Sequence, residues 1–199
     1  MKSFIAGNKA VEKNKTKAII NEVIAKTART ISPCVILDGP GMKTLKALKK
    51  HKHPSRNIHI PNNSKDFKEI SKKHPQTYEM TLYDFLYKHR NRKYKLGLVY
   101  MDYMCTFNGN TECNPVNDLK LLFINKMLKF GSILGITLAC RNTVKNKTGF
   151  THNTILKVIS TIQKFAGQNR YEATLLEDVG GVYFNGGPMF TLLFKVIRK

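Results

Sequence analysis

The chain has 199 residues, which is enough for one sizeable core and too few for two full domains. Its 34 lysine and arginine residues against 13 acidic residues give a formal net charge of +21, an excess that favours polyanionic partners such as nucleic acid. No apolar run is long enough to cross a membrane and the N-terminus lacks a signal-peptide core, so we expect an intracellular protein with no membrane partner.

Helices and strands are predicted to alternate along the chain. An apolar stripe predicts an amphipathic helix over 14–30, and continuous apolar runs predict buried strands. Further helices are predicted at 42–50, 64–74 (capped by Ser64), 82–90, 114–130 and 151–167, and strands at 33–38, 57–63, 76–81, 95–103 and 131–140. Two β-rich runs, 171–184 and 188–199, are joined by Asn-Gly-Gly and predict a hairpin, whose turns account for the nearby glycine pairs.

This order of elements predicts an α/β fold with a mostly parallel sheet between two layers of helices. Right-handed crossovers place the loops that follow the strands at one edge, where open α/β sheets bind their ligands. Four of these loops carry small, polar or acidic residues, which favours a ligand site over plain connections. We expect an N-terminal helix and basic arm over 1–30 and one domain over 31–199.

The first of these loops carries a motif, VILDGPGMKT, that is similar to the first motif of class I S-adenosylmethionine-dependent methyltransferases. The five strand–helix units and the terminal hairpin resemble the same family. The resemblance implies a Rossmann-like sandwich with seven strands, the last inserted antiparallel, and S-adenosylmethionine as cofactor. It also implies that Asp38 is the motif's acidic residue, and that Gly39, Pro40 and Gly41 form the turn where the backbone approaches the cofactor.

The next two loops depart from the family pattern. The second strand of the family commonly ends in an acid that holds the ribose hydroxyls, and Asn62 and Asn63 stand there in this chain. An amide can accept from one hydroxyl and donate to another, but without a charge-assisted bond. The resemblance places Thr81 and Leu82 beside the adenine, with Asp84 as an alternative.

The fourth strand ends in YMDYMCTF, and in the family this end faces the methyl donor and the target atom. The resemblance implies that Asp102 positions the nucleophile and that Tyr103 stacks on a base or orients it. The alternative roles are a loop cap for Asp102 and core packing for Tyr103, and core packing is favoured for Phe107. Cys105 has the chemistry of a covalent nucleophile, but a lone cysteine near an apolar strand is more often inert.

Cysteine and histidine positions indicate no metal site. Three of the four cysteines lie in or beside apolar stretches, which predicts reduced thiols in a reducing compartment. His51, His53 and His59 cluster without a carboxylate or cysteine at metal spacing, which predicts a solvated basic loop.

Positive charge is concentrated in the flank from Lys43 to Lys95, which predicts a nucleic-acid surface. The candidate contacts there are Lys43, Arg90, Arg92 and Lys93, and a second candidate surface is the N-terminal helix with Lys13, Lys15 and Lys17.

Two function classes follow from the sequence. The first is a methyltransferase acting on nucleic acid, with RNA favoured over DNA. The second is a domain of the same fold that has lost catalysis and binds nucleic acid or takes part in an assembly.

Overall fold

The computed structural model describes residues 13–91, 95–110, 113–140, 147–184 and 188–199. These residues form one sheet of seven strands with helices on both faces. The helices are α1 (Lys13–Thr27), α2 (Lys43–Lys50), α3 (Phe67–Lys73), α4 (Leu82–His89), α5 (Pro115–Ile124) and α6 (Lys147–Gln168). The strands are β1 (Cys34–Ile36), β2 (Ile58–Pro61), β3 (Thr77–Tyr78), β4 (Leu96–Asp102), β5 (Leu128–Ala139), β6 (Tyr171–Phe184) and β7 (Pro188–Arg198).

The sheet order is β3-β2-β1-β4-β5-β7-β6. Strands β1 to β5 pair in parallel, and β7 lies antiparallel between β5 and β6. This confirms the predicted Rossmann-like α/β fold with its seven strands and its antiparallel C-terminal strand. The order reverses between β1 and β4, so the carboxyl ends of these two neighbours flank the crevice where such sheets bind ligands.

Side chains of each central strand alternate between two hydrophobic cores. Val99 and Met101 of β4 belong to the core that packs under α4, α5 and α6. Leu98 and Tyr100 belong to the opposite core, which includes the apolar stripe of α1 and residues of α2 and α3. A residue's parity along the strand therefore decides which helical layer it faces.

Several predicted boundaries are wrong for local backbone reasons. The helix predicted over 114–130 ends at Ile124, because Lys126 adopts a left-handed φ of 50°, and the apolar run after it begins β5 with Leu128 paired to Leu96. Strand β3, predicted over 76–81, contains only Thr77–Tyr78 and pairs with β2 at the edge of the sheet. Ser64 does not cap α3, which begins at Phe67, and its hydroxyl accepts a bond from the Asp66 amide in the preceding turn.

Two further interpretations change at the end of the chain. Gly180 and Gly181 were expected in a turn, but both lie within β6 and pair with β7, next to a register shift that follows Leu175. The two strands form the predicted hairpin, with Phe184 opposite Pro188, and its turn at 185–187 lies outside the described residues.

The close approach of β4 to the segment before β1 generates a stability prediction. A Cβ atom added at Gly97 would lie 2.3 Å from the Cβ of the buried Ser32, so Gly97→Ala forces backbone movement. We expect it to lower the free energy of unfolding in urea by about 1–3 kcal/mol. Gly167→Ala is the matched control, because its Cβ meets nothing within 4 Å, and should stay within about 0.5 kcal/mol of wild type. Equal urea midpoints for the two variants would contradict the predicted clash.

Candidate functional site

An ion pair lies at the carboxyl end of β4. The Lys17 ammonium of α1 donates to Asp102 Oδ1 at 2.6 Å, and the two side chains are 12% and 20% exposed. Asp102 has the same parity as Tyr100, so it faces α1, and the Lys17 ammonium also donates to the Tyr100 hydroxyl at 2.7 Å. The pair ties the N-terminal helix to the strand end that the sequence predicts to face the reaction.

Asp38 lies at the neighbouring end of β1 and is almost fully buried. Its carboxylate accepts bonds from two backbone amides, Leu45 of α2 at 2.9 Å and Gly39 at 3.1 Å. Burial raises the pKa of Asp38 to about 6; the charge of Asp102 acts in the same direction, and the Leu45 bond and the Lys17 charge act against it. Two carboxylates and one ammonium are therefore close enough to influence one another.

A chain of buried hydroxyl groups continues from Lys17 through the sheet. The Tyr100 oxygen lies 2.9 Å from Thr137 Oγ1 on β5, which lies 2.7 Å from Thr191 Oγ1 on β7. Because an ammonium only donates, the Tyr100 oxygen accepts from Lys17, and either hydroxyl can donate in its bond with Thr137. The register that pairs Asp102 with Thr137, and Thr137 with Thr191, places these groups in one row.

The turn after β1 leaves open space beside its backbone. A Cβ at Gly39 would meet nothing within 4 Å, and one at Gly41 would make only ordinary contacts with Lys43. The left-handed position of the turn belongs to Met42, with φ 51° and a buried side chain. The two glycines are therefore not required by the local fold, and they border a surface where a ligand can approach the backbone.

Pro40 contributes its carbonyl oxygen to this turn, where it accepts a bond of 2.9 Å from the Lys73 ammonium of α3. Asn62, after β2, lies beside the turn and donates to the Asp38 carbonyl at 3.4 Å. Its own amide oxygen accepts from the Ser64 amide and hydroxyl. Asn63 is exposed. The structure thus brings the first and second predicted loops together.

Thr81 and Leu82 lie at the N-terminus of α4. The Thr81 hydroxyl accepts from the Asp84 amide at 3.1 Å and donates to the Asp84 carboxylate at 2.7 Å, a reciprocal cap of the helix. Leu82 is buried in the core beneath α4.

Tyr103 lies on the opposite face of the sheet from Asp102. It follows Asp102 directly, so strand alternation turns it toward the core under α4 and α5, where it is buried. Its hydroxyl donates to Asp118 Oδ2 of α5. Asp118 is 3% exposed, and its Oδ1 has no hydrogen-bond partner among the described residues. Burial raises the pKa of Asp118 to about 6, and the bond from Tyr103 acts against this rise. The structure does not bring Tyr103 into the cluster around Lys17.

The loop after β4 corrects the expectation for two cysteines. Cys105 and Cys113 form a disulfide with Cα atoms 7.0 Å apart, so Cys105, which lies beside an apolar strand, is not the reduced thiol that the sequence predicts. Cys34 and Cys140 are buried thiols that take part in no disulfide, as predicted. Phe107, within the disulfide-closed loop, packs in the core as expected.

The basic candidates lie on two surfaces. Lys43 is exposed and lines an open groove between α1 and α2 with Lys46 and Lys50. Arg90, at the end of α4, stacks on the Tyr87 ring. Arg92 and Lys93 lie outside the described residues.

The predicted solvated histidine loop is wrong for two of its members. His53 is buried and its Nε2 lies 2.9 Å from the Ala25 carbonyl, and His59 is buried beside Tyr78. His51 is partly exposed and pairs with Glu22 at 2.7 Å. Within the described ranges, no group of three metal-binding side chains is present.

Sequence reasoning missed Lys17 and Asp118 as site residues. The sequence groups Lys17 with Lys13 and Lys15 as a candidate nucleic-acid surface, yet Lys17 lies one turn before Ile20 and Asn21, which are both buried. This spacing was a usable signal for its position on the buried side of α1. For Asp118, a carboxylate among the apolar residues of α5 was the available signal.

Solved structures share this architecture at low sequence identity. Trm1 from Pyrococcus horikoshii, solved with S-adenosyl-L-methionine, is 10% identical, with a TM-score of 0.56 over 95% of this chain and 57% of that chain. An O-methyltransferase family protein from Burkholderia thailandensis is 12% identical, with a TM-score of 0.54 over 92% of this chain and 55% of that chain.

This chain has the class I methyltransferase fold. A candidate rRNA methylase from Clostridium thermocellum with the same fold is 12% identical, with a TM-score of 0.54 over 89% of this chain and 95% of that chain. The chain thus spans little more than half of the first two neighbours and nearly the whole of the third. No family model and no curated protein sequence matches it. Among the described helices, none has the length and apolar character needed to cross a membrane.

The raised pKa of Asp38 predicts how its contribution to stability depends on pH. Between the ordinary value of 3.8 and about 6, the unfolded state ionises Asp38 while the folded state keeps it protonated, so folding grows less favourable as pH rises. The unfolding free energy of wild type minus that of Asp38→Asn should therefore fall by about 2–3 kcal/mol between pH 4 and pH 7. Urea unfolding across this range provides the measurement.

The contribution of Glu22 to stability should depend on pH in the opposite direction. Bonds to His51 and Lys50 lower the pKa of Glu22 to about 2, so its contribution is lost as pH falls below 4.5. The unfolding free energy of wild type minus that of Glu22→Gln should therefore rise with pH. A flat difference for Asp38→Asn would show that its carboxylate is not buried as described.

Proposed function

We propose that this protein is an S-adenosylmethionine-dependent methyltransferase that acts on nucleic acid, with RNA as the favoured polymer. The observation that carries the proposal is the position of Asp38 and Asp102 at the ends of two adjacent strands, beside a glycine turn with open space. These ends flank the crevice of a class I methyltransferase fold. The bound cofactor of Trm1, which has this fold, supports the choice of cofactor.

The charges of the site fit a cationic cofactor. Asp38 and Asp102 carry two negative charges when ionised, and Lys17 offsets one of them, which leaves a net negative site for a sulfonium. The positive charge of such a ligand would also favour the ionised form of Asp38, whose pKa is raised partly by the Asp102 charge. The site therefore suits S-adenosylmethionine better than its neutral product.

The open turn and the loop after β2 supply the binding surface. We infer that the backbone at Gly39 and Gly41 lies against the cofactor, since added Cβ atoms would project into free space there. Asn63, the exposed amide of the second loop, is our choice for a ribose hydroxyl, because the Asn62 amide oxygen already accepts from Ser64. Thr81 and Asp84 form the cap at the third loop, where we expect the adenine to bind.

The role proposed for Asp102 is to orient the methyl acceptor. When bound, S-adenosylmethionine would supply an electrophilic methyl group, whose carbon an acceptor nucleophile attacks in line while the sulfur leaves as the neutral thioether of S-adenosylhomocysteine. Positioning dominates such a reaction, and a strong base is optional. Lys17 holds Oδ1 of Asp102, and we infer that Oδ2 accepts a hydrogen bond from the N–H or O–H of the acceptor, which fixes the direction of its lone pair. Lys17 is thus a positioning residue for Asp102.

Charge supports a polyanionic substrate. The net charge of +21 raises the encounter rate with nucleic acid, and exposed lysines line the groove between α1 and α2. The candidate rRNA methylase that this chain matches over nearly its whole length supports RNA over DNA. A methyltransferase acting on a small neutral molecule has no comparable use for such an excess of positive charge.

Cofactor binding is tested by filling the open space beside the turn. Gly39→Val adds a branched side chain where nothing lies within 4 Å, so the fold should tolerate it while cofactor access is lost. Wild type should show a rise in Tm with millimolar S-adenosylmethionine, by mass action, and Gly39→Val should show none. Gly167→Val, on the exposed end of α6, is the control and should keep the rise. A wild-type protein without any rise would contradict the proposed cofactor.

Asp102→Asn tests the acceptor-orienting role. The amide keeps the shape of the side chain but loses the charge, so we expect methyl transfer to RNA to slow about 100-fold, while S-adenosylmethionine affinity falls by no more than about tenfold because the Asp38 carboxylate remains. Calorimetry and transfer of a labelled methyl group give the two values, with a melting curve beside them. Glu172→Gln is the control, an exposed carboxylate on β6 that pairs with Lys199, and should match wild type. Equal losses of binding, turnover and stability would make Asp102 a scaffold residue instead.

A further inference from the structure

Two tyrosines form an exposed aromatic pair on α4. The rings of Tyr83 and Tyr87 are nearly parallel, at 9°, with centroids 6.3 Å apart, and the side chains are 42% and 50% exposed. They lie four residues apart and so share one face of the helix. Helix α4 buries its other face, including Phe85 and Leu86, in the core. The tyrosines are thus outside the core, and their rings present apolar area to solvent.

Positive charge flanks this pair. The Arg90 guanidinium lies 3.8 Å from the centroid of the Tyr87 ring, and its Nη1 donates to the Tyr87 carbonyl at 2.7 Å. Lys88 is exposed beside it. The acidic residue of the same helix, Asp84, is bound by the Thr81 hydroxyl at the helix N-terminus, where the helix dipole offsets its charge. Aromatic rings next to fixed cations match the two parts of a single-stranded nucleic acid, its bases and its phosphates.

The position of α4 connects this surface to the candidate site. Tyr83 is in the first turn of α4, which begins three residues after β3, so it lies toward the same carboxyl edge of the sheet as Asp38 and Asp102, on the face opposite the one that α1 covers. The helix then runs away from that edge toward Arg90. A strand bound along Tyr83, Tyr87 and Arg90 would therefore lead toward the crevice.

We propose that Tyr83, Tyr87 and Arg90 form a stacking platform for single-stranded nucleic acid, with bases against the two rings and phosphates against Arg90 and Lys88. The platform deepens the proposed function, because it rests on nucleic acid being the substrate. It assigns a base-dependent contribution to affinity, which the lysine-lined groove between α1 and α2 does not supply.

The test compares two oligomers of equal charge and length, a short oligo(A) RNA and its abasic ribose-phosphate analogue. Fluorescence anisotropy on the full chain should show that wild type prefers oligo(A) by about tenfold or more, since stacking contributes about 1–3 kcal/mol per base. The double variant Tyr83→Leu with Tyr87→Leu keeps apolar bulk and helix propensity without rings. It should lose this preference while keeping its affinity for the abasic analogue.

Two controls separate stacking from other effects. Tyr83→Phe with Tyr87→Phe keeps both rings and should keep the preference. Lys46→Ser, in the groove between α1 and α2, removes a charge elsewhere, so it should leave the ratio of the two affinities unchanged. A melting curve verifies that each variant is folded.

The outcomes distinguish this inference from the proposed function. Wild type that binds both oligomers equally would overturn the platform and leave nucleic-acid binding in place, as would a leucine variant that retains the full preference. Wild type that binds neither oligomer would overturn the nucleic-acid substrate and the platform together. Self-association of wild type that the leucine variant lacks, without any base preference, would assign the surface to a second copy of the chain.

Discussion

Parallel alignment of the first five strands is the constraint on which both the cores and the candidate site depend. Because these strands point the same way, their carboxyl ends meet at one edge of the sheet, and alternation then assigns each residue at that edge to one of two faces. Asp38 and Asp102 share the parity of Ile36 and Tyr100, so both lie on the face that α1 covers. A shift of β4 by one residue would turn Asp102 toward the opposite core and away from Lys17.

Lys17 is the hydrogen-bond donor to two polar groups on the face of the sheet that α1 covers, the Asp102 carboxylate and the Tyr100 hydroxyl. Tyr100, Thr137 and Thr191 place three hydroxyl groups in a row inside an otherwise apolar core, and burying such groups is costly unless each has a partner. The ammonium donates both to Asp102 and to the first hydroxyl, so one side chain of α1 neutralises a carboxylate and supplies a donor at one end of the row. The position of α1, the protonation of the carboxylates at the sheet edge and the packing of β5 against β7 therefore depend on one another.

The sequence was sufficient for the parts of the structure that depend on local pattern. Alternating apolar runs predicted the order of elements, and acidic residues after two of them predicted Asp38 and Asp102 at a common edge. The alternation of side chains along a strand also predicts that Tyr103 and Asp102 lie on opposite faces of the sheet. The motif resemblance instead implied that both lie at the reaction site. Contacts between distant segments were not predictable in this way: nothing near Lys17 indicates that its partner is on β4, and nothing near Cys105 indicates its bond to Cys113.

The insertion of β7 between β5 and β6 has a consequence for how the chain assembles. Strand β6 precedes β7 in sequence, but its only backbone partner in the described sheet is β7, so β6 has no place to dock until β7 has paired with β5. The hairpin of β6 and β7 can form before that pairing, and the docking of β7 on β5 closes a long loop that contains all of α6. The growing sheet is therefore left with β5 as an open edge during synthesis. That edge is apolar and unprotected, which makes this interval the one in which a chaperone or a second nascent chain has access to it.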